Sequence, residues 1–159
     1  MTHSILRGAA AGAAGTTALN AVTFLDMLVR GRPASRTPED SVRRMSRKAG
    51  VDIPGTPRQR KARVSGLGSL LGAVTGVSVG AAYGALRGLG WRPGALTATL
   101  ATTVGAMAAA GVPMSALGVS DPRSWSVGDW LSDVLPHLAY GVVTVATYAA
   151  TDHGGPHDA

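Results

Sequence analysis

The chain has little of what usually builds a water-soluble core. Its 159 residues include no cysteine, one phenylalanine, three tyrosines and three tryptophans. The absence of cysteine excludes disulfides, haem–thiolate ligation and cysteine-ligated iron–sulfur clusters. A core in water would consist almost wholly of Ala, Val, Leu and Gly, which pack weakly there but form ordinary contacts between membrane helices.

Charge is also scarce over most of the chain. Four stretches without Asp, Glu, Lys or Arg contain 18, 23, 28 and 18 residues, and roughly 20 apolar residues suffice for a helix to cross a hydrocarbon core of about 30 Å. We therefore predict an all-α fold, an integral membrane four-helix bundle that forms one domain over residues 1–159. The predicted spans are 5–29, 64–86, 95–117 and 133–151.

Glycine recurs at every fourth position through the second span. The series is Gly68, Gly72, Gly76, Gly80, Gly84 and, just beyond the span, Gly88. On a helix these positions form a groove without side chains, which drifts by about 40° per step around the axis. Each interior glycine costs a helix in water about 0.8–1 kcal/mol relative to alanine. In a bilayer the helix is enforced, and the groove lets another helix approach closely, so the series predicts a glycine zipper.

Three uses of this groove are open. Packing within the four-helix bundle is favoured, association of two copies of the chain comes next, and a pore lined by glycine backbones lacks any filter or ring of charge. The first span has a side of small and polar residues, because Gly8 and Gly12 share one side of its helix with Asn20 and Asp26. Polar groups in lipid are best satisfied against another helix, so this side is predicted to face the bundle interior.

Most of the positive charge lies in one linker, residues 30–63, which holds eleven of the fifteen basic residues. Short loops rich in Lys and Arg stay in the cytoplasm, which places this linker inside and both termini outside. Within it, Pro38 is suited to start a helix and Gly50 to end it. This short basic interfacial helix is predicted to bind anionic lipids of the bilayer. Its lipid-binding residues are Arg43, Arg44, Arg47 and Lys48.

A nucleic-acid partner is not expected for this linker. The linker contains no aromatic residue and lies between two predicted spans. Its basic charge is therefore explained by topology and by attraction to a lipid surface.

Ionisable residues at membrane depth are candidates for chemistry. Asp133, His137 and Tyr140 share one face of the fourth span. They could form a proton relay, but the favoured interpretation places Asp133 among headgroups and lets His137 hydrogen-bond a neighbouring helix. Asp26 could partner a cation, or His137 across the bundle. An ion pair with Arg30, one helical turn away, is favoured.

A likeness to a known family lies in the segment starting at Val112, VPMSALGVSDPRSWSVGDWLSDVLPHLAYGVV. A proline-containing linker and an acidic, aromatic stretch precede a His-Leu start to the final span. In these features the segment resembles small uncharacterised bacterial inner-membrane proteins of the YagU-like kind. The resemblance covers about a fifth of the chain, and the glycine series and the basic linker have no match in it. It implies a helical inner-membrane protein without an assigned role.

The sequence offers no nucleophile–base pair and no set of metal ligands, so we expect no enzyme, no cofactor and no metal. The excess of Arg over Lys, with abundant Ala and Gly, is typical of a GC-rich bacterial genome. The predicted location is the bacterial cytoplasmic membrane, as a multi-pass protein. The predicted role is a structural, accessory or self-assembling subunit that packs through its glycines against itself or other membrane subunits. The alternative is a small transporter or proton-coupled permease that uses Asp26 and the Asp133/His137 pair.

Overall fold

The structure, a computed structural model, describes residues 1–152, and these form helices and connections without a strand. Five α-helices follow one another: α1 Thr2–Arg30, α2 Thr37–Ala49, α3 Pro57–Gly88, α4 Ala95–Ala116 and α5 Val127–Asp152. Four of them, α1, α3, α4 and α5, are long and apolar enough to cross a membrane. The predicted all-α class and its four long apolar helices are therefore confirmed. Residues 153–159 of the predicted domain lie outside the described residues.

Capping residues make two of these helices longer than the predicted spans. Thr56 and Gln59 cap α3 reciprocally, each side chain accepting the other residue's backbone N–H. The helix begins with Pro57, before the predicted start of the second span at residue 64. Ser126 and Asp129 form the same arrangement before α5, with N–H to side-chain oxygen distances of 2.9 and 3.2 Å. The added residues include charged ones, four basic residues in α3 and Asp129 in α5, so a search for uncharged stretches misses them.

The helix predicted in the basic linker is α2. Glu39 and Asp40 lie in its first turn, where the helix dipole favours acidic residues. Gly50 ends it in the left-handed conformation, with φ 65°, and its N–H donates to carbonyl oxygens of the last turn. This helix packs on α3.

The four long helices run alternately up and down. Ser4 of α1 lies beside Gly88 of α3, and Arg7 of α1 pairs with Asp152 of α5, so α1 is antiparallel to both neighbours. Helix α1 packs extensively against α3 and α5, and α4 packs on α5 and less on α3. We call the end that holds Met1, Asp152 and the α3–α4 turn the termini end. The opposite end, which holds α2, is the linker end.

Close packing is concentrated in the half of the bundle near the termini end. Its buried residues are Gly8, Ala11, Gly12, Gly15, Gly80, Tyr83, Gly84, Ala98, Thr102, Thr103, Ala106, Pro136, Tyr140, Gly141, Thr144, Val145 and Tyr148. Toward the linker end, α1 buries no described residue after Gly15, α4 none after Ala106 and α5 none before Pro136. There α3 buries only Val64 and Gly68, beside α2. Packing between the long helices therefore loosens toward the linker end.

Candidate functional site

Helices α1 and α3 touch through their backbones. A Cβ built at Gly12 would lie 2.6 Å from the Gly76 carbonyl oxygen and 2.9 Å from Gly80 Cα. One built at Gly8 would lie 2.7 Å from Gly84 Cα. Real Cβ atoms essentially never come closer than 3.0 Å to such atoms, so only glycine fits. We call these five residues the glycine seam.

The remaining glycines of the predicted series have other surroundings. Gly68 faces α2, where its Cβ would lie 3.2 Å from Pro38, and Gly88 faces Ser4 at the termini end. Gly72 has nothing within 4 Å. The series turns by about 40° per step, so one straight neighbour cannot follow all six positions. The structure brings three of the six, together with Gly8 and Gly12, into one contact.

Sequence reasoning did not single out two further close approaches, both involving α5. A Cβ at Gly15 would lie 2.9 Å from the Tyr140 carbonyl oxygen, and one at Gly141 would lie 2.8 Å from the Thr99 carbonyl oxygen. The spacing of Gly15 behind Gly8 and Gly12 was a usable signal for the first. Gly141 is the single glycine of the fourth predicted span, so no spacing pattern pointed to it. Glycine thus admits a neighbouring backbone at α1–α5 and α4–α5 as well.

Two buried threonines lie against these glycines. The hydroxyl oxygens of Thr144, beside Gly15, and of Thr103, beside Gly141, have no hydrogen-bond partner among the described residues. Their oxygens face the backbone of a glycine, whose Cα–H groups can donate weak hydrogen bonds to them. The two hydroxyls therefore contribute to helix packing.

Tyr140 links α5 to α3 through the centre of the bundle. Its side chain is buried, and its hydroxyl donates to the Gly76 carbonyl oxygen at 2.6 Å. A helical carbonyl can accept this second bond because it has two lone pairs. The arrangement fastens α5 to the glycine seam.

Asp133 and His137 form a local pair on α5. His137 Nδ1 lies 2.7 Å from the Asp133 backbone oxygen and 3.5 Å from its carboxylate. A carbonyl oxygen only accepts, so Nδ1 is the donor in this hydrogen bond. Both side chains are partly buried, at 12% and 29% exposure.

Asp26 belongs to a separate group that joins α1 to the start of α5. Its carboxylate pairs with Arg30 at 3.3 Å and with Arg32, and it accepts a hydrogen bond from Ser132 at 3.1 Å. Arg30 also donates to the Ser132 hydroxyl at 2.7 Å and to the Gly128 carbonyl. The favoured ion pair between Asp26 and Arg30 is present in the structure. We call this group the Asp26 cluster.

The predicted intramembrane polar residues therefore do not share one site. Asp26 contacts Arg30, Arg32 and Ser132, whereas His137 contacts Asp133. Asn20 is exposed and is not brought to the others, although we expected it on the interior side of α1. Close packing of α1 ends with Gly15, so the interior surface of that helix stops before Asn20.

The termini end is closed by ion pairs and aromatic rings that sequence reasoning missed. Asp152 pairs with Arg7 and, at 3.7 Å, with Arg87. Arg87 lies 5.5 Å from the centre of the Tyr148 ring, and Tyr83 meets that ring edge to face at 5.2 Å. These charges stood at the edges of three uncharged stretches, but no local spacing connects them.

A basic crevice lies at the linker end, between α2 and the residues after α4. Its walls are Asp40, Arg43, Arg44 and Arg47 together with Gly118 and Val119. Arg44 Nε donates to the Leu117 carbonyl oxygen at 2.9 Å and so ties α2 to the end of α4. Lys48, the fourth predicted lipid-binding residue, does not line this crevice.

No three His, Asp or Glu side chains in residues 1–152 are grouped so that they could hold a metal ion. Comparisons with protein-family models, curated proteins and solved structures find no match. The resemblance to YagU-like proteins therefore stays a prediction, and the function has to be argued from the geometry.

Proposed function

We propose that this chain is a non-enzymatic multi-pass protein of the bacterial cytoplasmic membrane that acts as an accessory or self-assembling subunit. Its fold would be held by glycine-zipper packing of α1 on α3. The observation that carries the proposal is the glycine seam, where Gly8 and Gly12 meet the backbone of α3. Such approach is typical of membrane helices, which lack a hydrophobic driving force between them and gain from close packing.

The outer surface supports lipid as the surrounding medium. Large apolar side chains stay uncovered on all four long helices, among them Leu6, Phe24, Leu25, Leu28, Leu70, Val74, Leu96, Val104, Leu135 and Val142. Within each helix, only 11–33% of the most apolar 18-residue window is buried inside the chain. In water, exposed apolar surface on this scale promotes aggregation, whereas in a bilayer it is solvated by acyl chains.

A subunit role is favoured because the polar side chains hold helices together. The Tyr140 hydroxyl donates a hydrogen bond to the Gly76 carbonyl oxygen in the glycine seam, and the Asp26 cluster connects α1 to α5. The seam is used within the chain, so contact with a second copy or another membrane subunit would involve the outer helix faces. A permease that uses Asp26 with His137 has less support, because these residues lie in separate groups.

The orientation we propose follows the positive charge. With linker 30–63 in the cytoplasm, the linker end meets the anionic inner leaflet and the termini end faces outward. The three arginines of the basic crevice would then lie at headgroup level.

The central test is a pair of identical substitutions on α3. Gly80→Leu places a side chain into the backbone of α1, so we expect the free energy of unfolding to fall by about 2–3 kcal/mol or more. Gly72→Leu, two turns away, meets open space and should leave it unchanged or raise it by up to about 1 kcal/mol, because leucine is the better helix former. Unfolding of the purified chain by SDS in mixed micelles measures both. Equal effects of the two substitutions would refute the glycine seam as the basis of the fold.

The subunit role is tested on the native chain. After solubilisation in a mild detergent, we expect a protein mass above the 16.0 kDa of one chain, or co-purification of another membrane protein. A chain that is monomeric and alone under these conditions would contradict the proposed role.

A further inference from the structure

The basic crevice brings together three arginines that have no acidic partner. Arg43, Arg44 and Arg47 form no ion pair with any residue in 1–152, whereas Arg7, Arg30, Arg32 and Arg87 all do. Asp40 is the one acidic residue in the crevice walls. Three guanidinium groups against one carboxylate leave the crevice positive. Such a surface favours an anion.

The positions of the three arginines also suit the binding of an anion. Arg43 and Arg47 are one turn apart on α2, so their side chains extend from the same side of the helix. Arg44 is held by the bond from Nε to the Leu117 carbonyl oxygen, while its two terminal nitrogens make no hydrogen bond within the described chain. A guanidinium with free terminal N–H groups matches the geometry of a phosphate, which it binds through two parallel hydrogen bonds.

The position of the crevice points to the source of the phosphate. Val119 lines the crevice shortly after the apolar helix α4 ends at Ala116. At the same end, Trp125 and Trp130 form an edge-to-face pair with ring centres 5.0 Å apart, and the indole N–H of Trp125 donates to the Ser120 hydroxyl. Tryptophans of membrane proteins concentrate at the headgroup region. The crevice is therefore at the depth of lipid phosphates, an argument that rests on the proposed membrane insertion.

We propose that the basic crevice is a discrete binding site for the phosphate group of an anionic phospholipid, held by Arg43, Arg44 and Arg47. This differs from a diffuse attraction of α2 to a charged surface, because Lys48 of the same helix takes no part in the site. Free phosphate shares the chemistry of the headgroup, so the experiment separates the two sources.

The test uses the full chain purified in a neutral detergent and isothermal titration calorimetry. The probes are a short-chain phosphatidylglycerol, a short-chain phosphatidylcholine and inorganic phosphate. We expect saturable binding of phosphatidylglycerol and no saturable binding of phosphatidylcholine. Arg47→Gln should weaken phosphatidylglycerol binding about tenfold, the loss of one charge-assisted contact. Lys48→Gln removes the same charge and should change it less than about twofold.

Asp40→Asn provides a change of opposite sign. Removal of the one carboxylate should strengthen phosphatidylglycerol binding, by about threefold, since a like charge near the bound phosphate is lost. Arg47 and Lys48 are exposed, and their side chains form no hydrogen bond or ion pair within the described chain, and circular dichroism checks the helix content of each variant. Arg44 is left unchanged, because its bond to Leu117 supports the position of α2.

Three results would overturn the proposal. Equal losses in Arg47→Gln and Lys48→Gln would show a diffuse basic surface, and absence of saturable phosphatidylglycerol binding would remove the lipid site. Binding of inorganic phosphate alone, with the same dependence on Arg47, would assign the crevice to a soluble ligand. The outcome is separate from the Gly80 test, since a chain without the proposed subunit role can still bind lipid here.

Discussion

The glycines of this chain differ in what lies opposite them. At Gly12 and Gly80 the nearest atoms are backbone atoms of another helix, which cannot move aside, whereas at Gly72 and Gly105 nothing lies within 4 Å. A glycine in open space lowers helix propensity without any gain in packing. Four glycines of the seam, Gly8, Gly12, Gly80 and Gly84, offset that cost with backbone contacts that any side chain would prevent.

Tyr140 provides a prediction at the residue scale. Tyr140→Phe removes the hydrogen bond to the Gly76 carbonyl and keeps the ring, so we expect the free energy of unfolding in mixed micelles to fall by about 1 kcal/mol. Tyr148→Phe is the matched control, because the Tyr148 hydroxyl makes no hydrogen bond within the described chain although its ring is buried. A loss of equal size in both variants would contradict a specific contribution from the Tyr140 bond.

At the scale of the helices, α1 holds the bundle together. It packs on α3 through glycine backbone and on α5 at three levels, by Arg7 with Asp152, Gly15 with Tyr140, and the Asp26 cluster. No comparable set of contacts joins α3 to α4, although only a short turn separates them. Neighbours in sequence are thus less closely packed than the pair that the glycines bring together.

The register of α1 against α3 can be tested by cross-linking. A Cβ at Gly88 would lie 3.3 Å from Ser4 Cβ, close to the roughly 3.8 Å of a disulfide. We expect the double variant Ser4→Cys, Gly88→Cys to form an intramolecular disulfide on mild oxidation, detected by mass spectrometry. The native chain has no cysteine and so gives no background.

The control for this cross-link moves one partner along α3. In Ser4→Cys, Gly72→Cys the second cysteine is shifted by about 24 Å along the helix axis, too far for a disulfide. Similar intramolecular yields in the two double variants would be incompatible with the antiparallel register of α1 and α3.

At the scale of the whole molecule, the two ends of the bundle are built differently. The termini end is closed by Asp152, its two arginines and the rings of Tyr83 and Tyr148. At the linker end the long helices bury little against one another, and α2 packs there on α3. The end that we place toward the cytoplasm therefore has more accessible polar surface, including the basic crevice.

The orientation can be tested with single cysteines in otherwise cysteine-free chains. Arg92→Cys lies in the turn after α3 and Ala49→Cys at the end of α2, both exposed. With the linker inside, a membrane-impermeant maleimide should label Arg92→Cys in intact bacteria and Ala49→Cys only after permeabilisation. Labelling of Ala49→Cys in intact cells would reverse the proposed orientation.

Local features of the sequence were enough to predict several parts of the site. The Asp26–Arg30 pair depends on a spacing of one helical turn, and α2 on an N-terminal proline and a C-terminal glycine. Asp152 with Arg7, or Gly141 with Thr99, joins residues far apart in the chain. Their contacts depend on which helices pack together, and a single sequence does not contain that information.

The sequence by itself determined four long apolar helices and a basic linker helix, because hydropathy, charge and capping act over a few neighbouring residues. Only the tertiary structure decided which glycines meet a backbone. A row of every fourth residue winds around its helix, and the straight partner contacts only part of the row. For the same reason Gly80 lies in the glycine seam, while Gly72 faces open space. The two glycines have the same spacing in the series and similar apolar residues on either side.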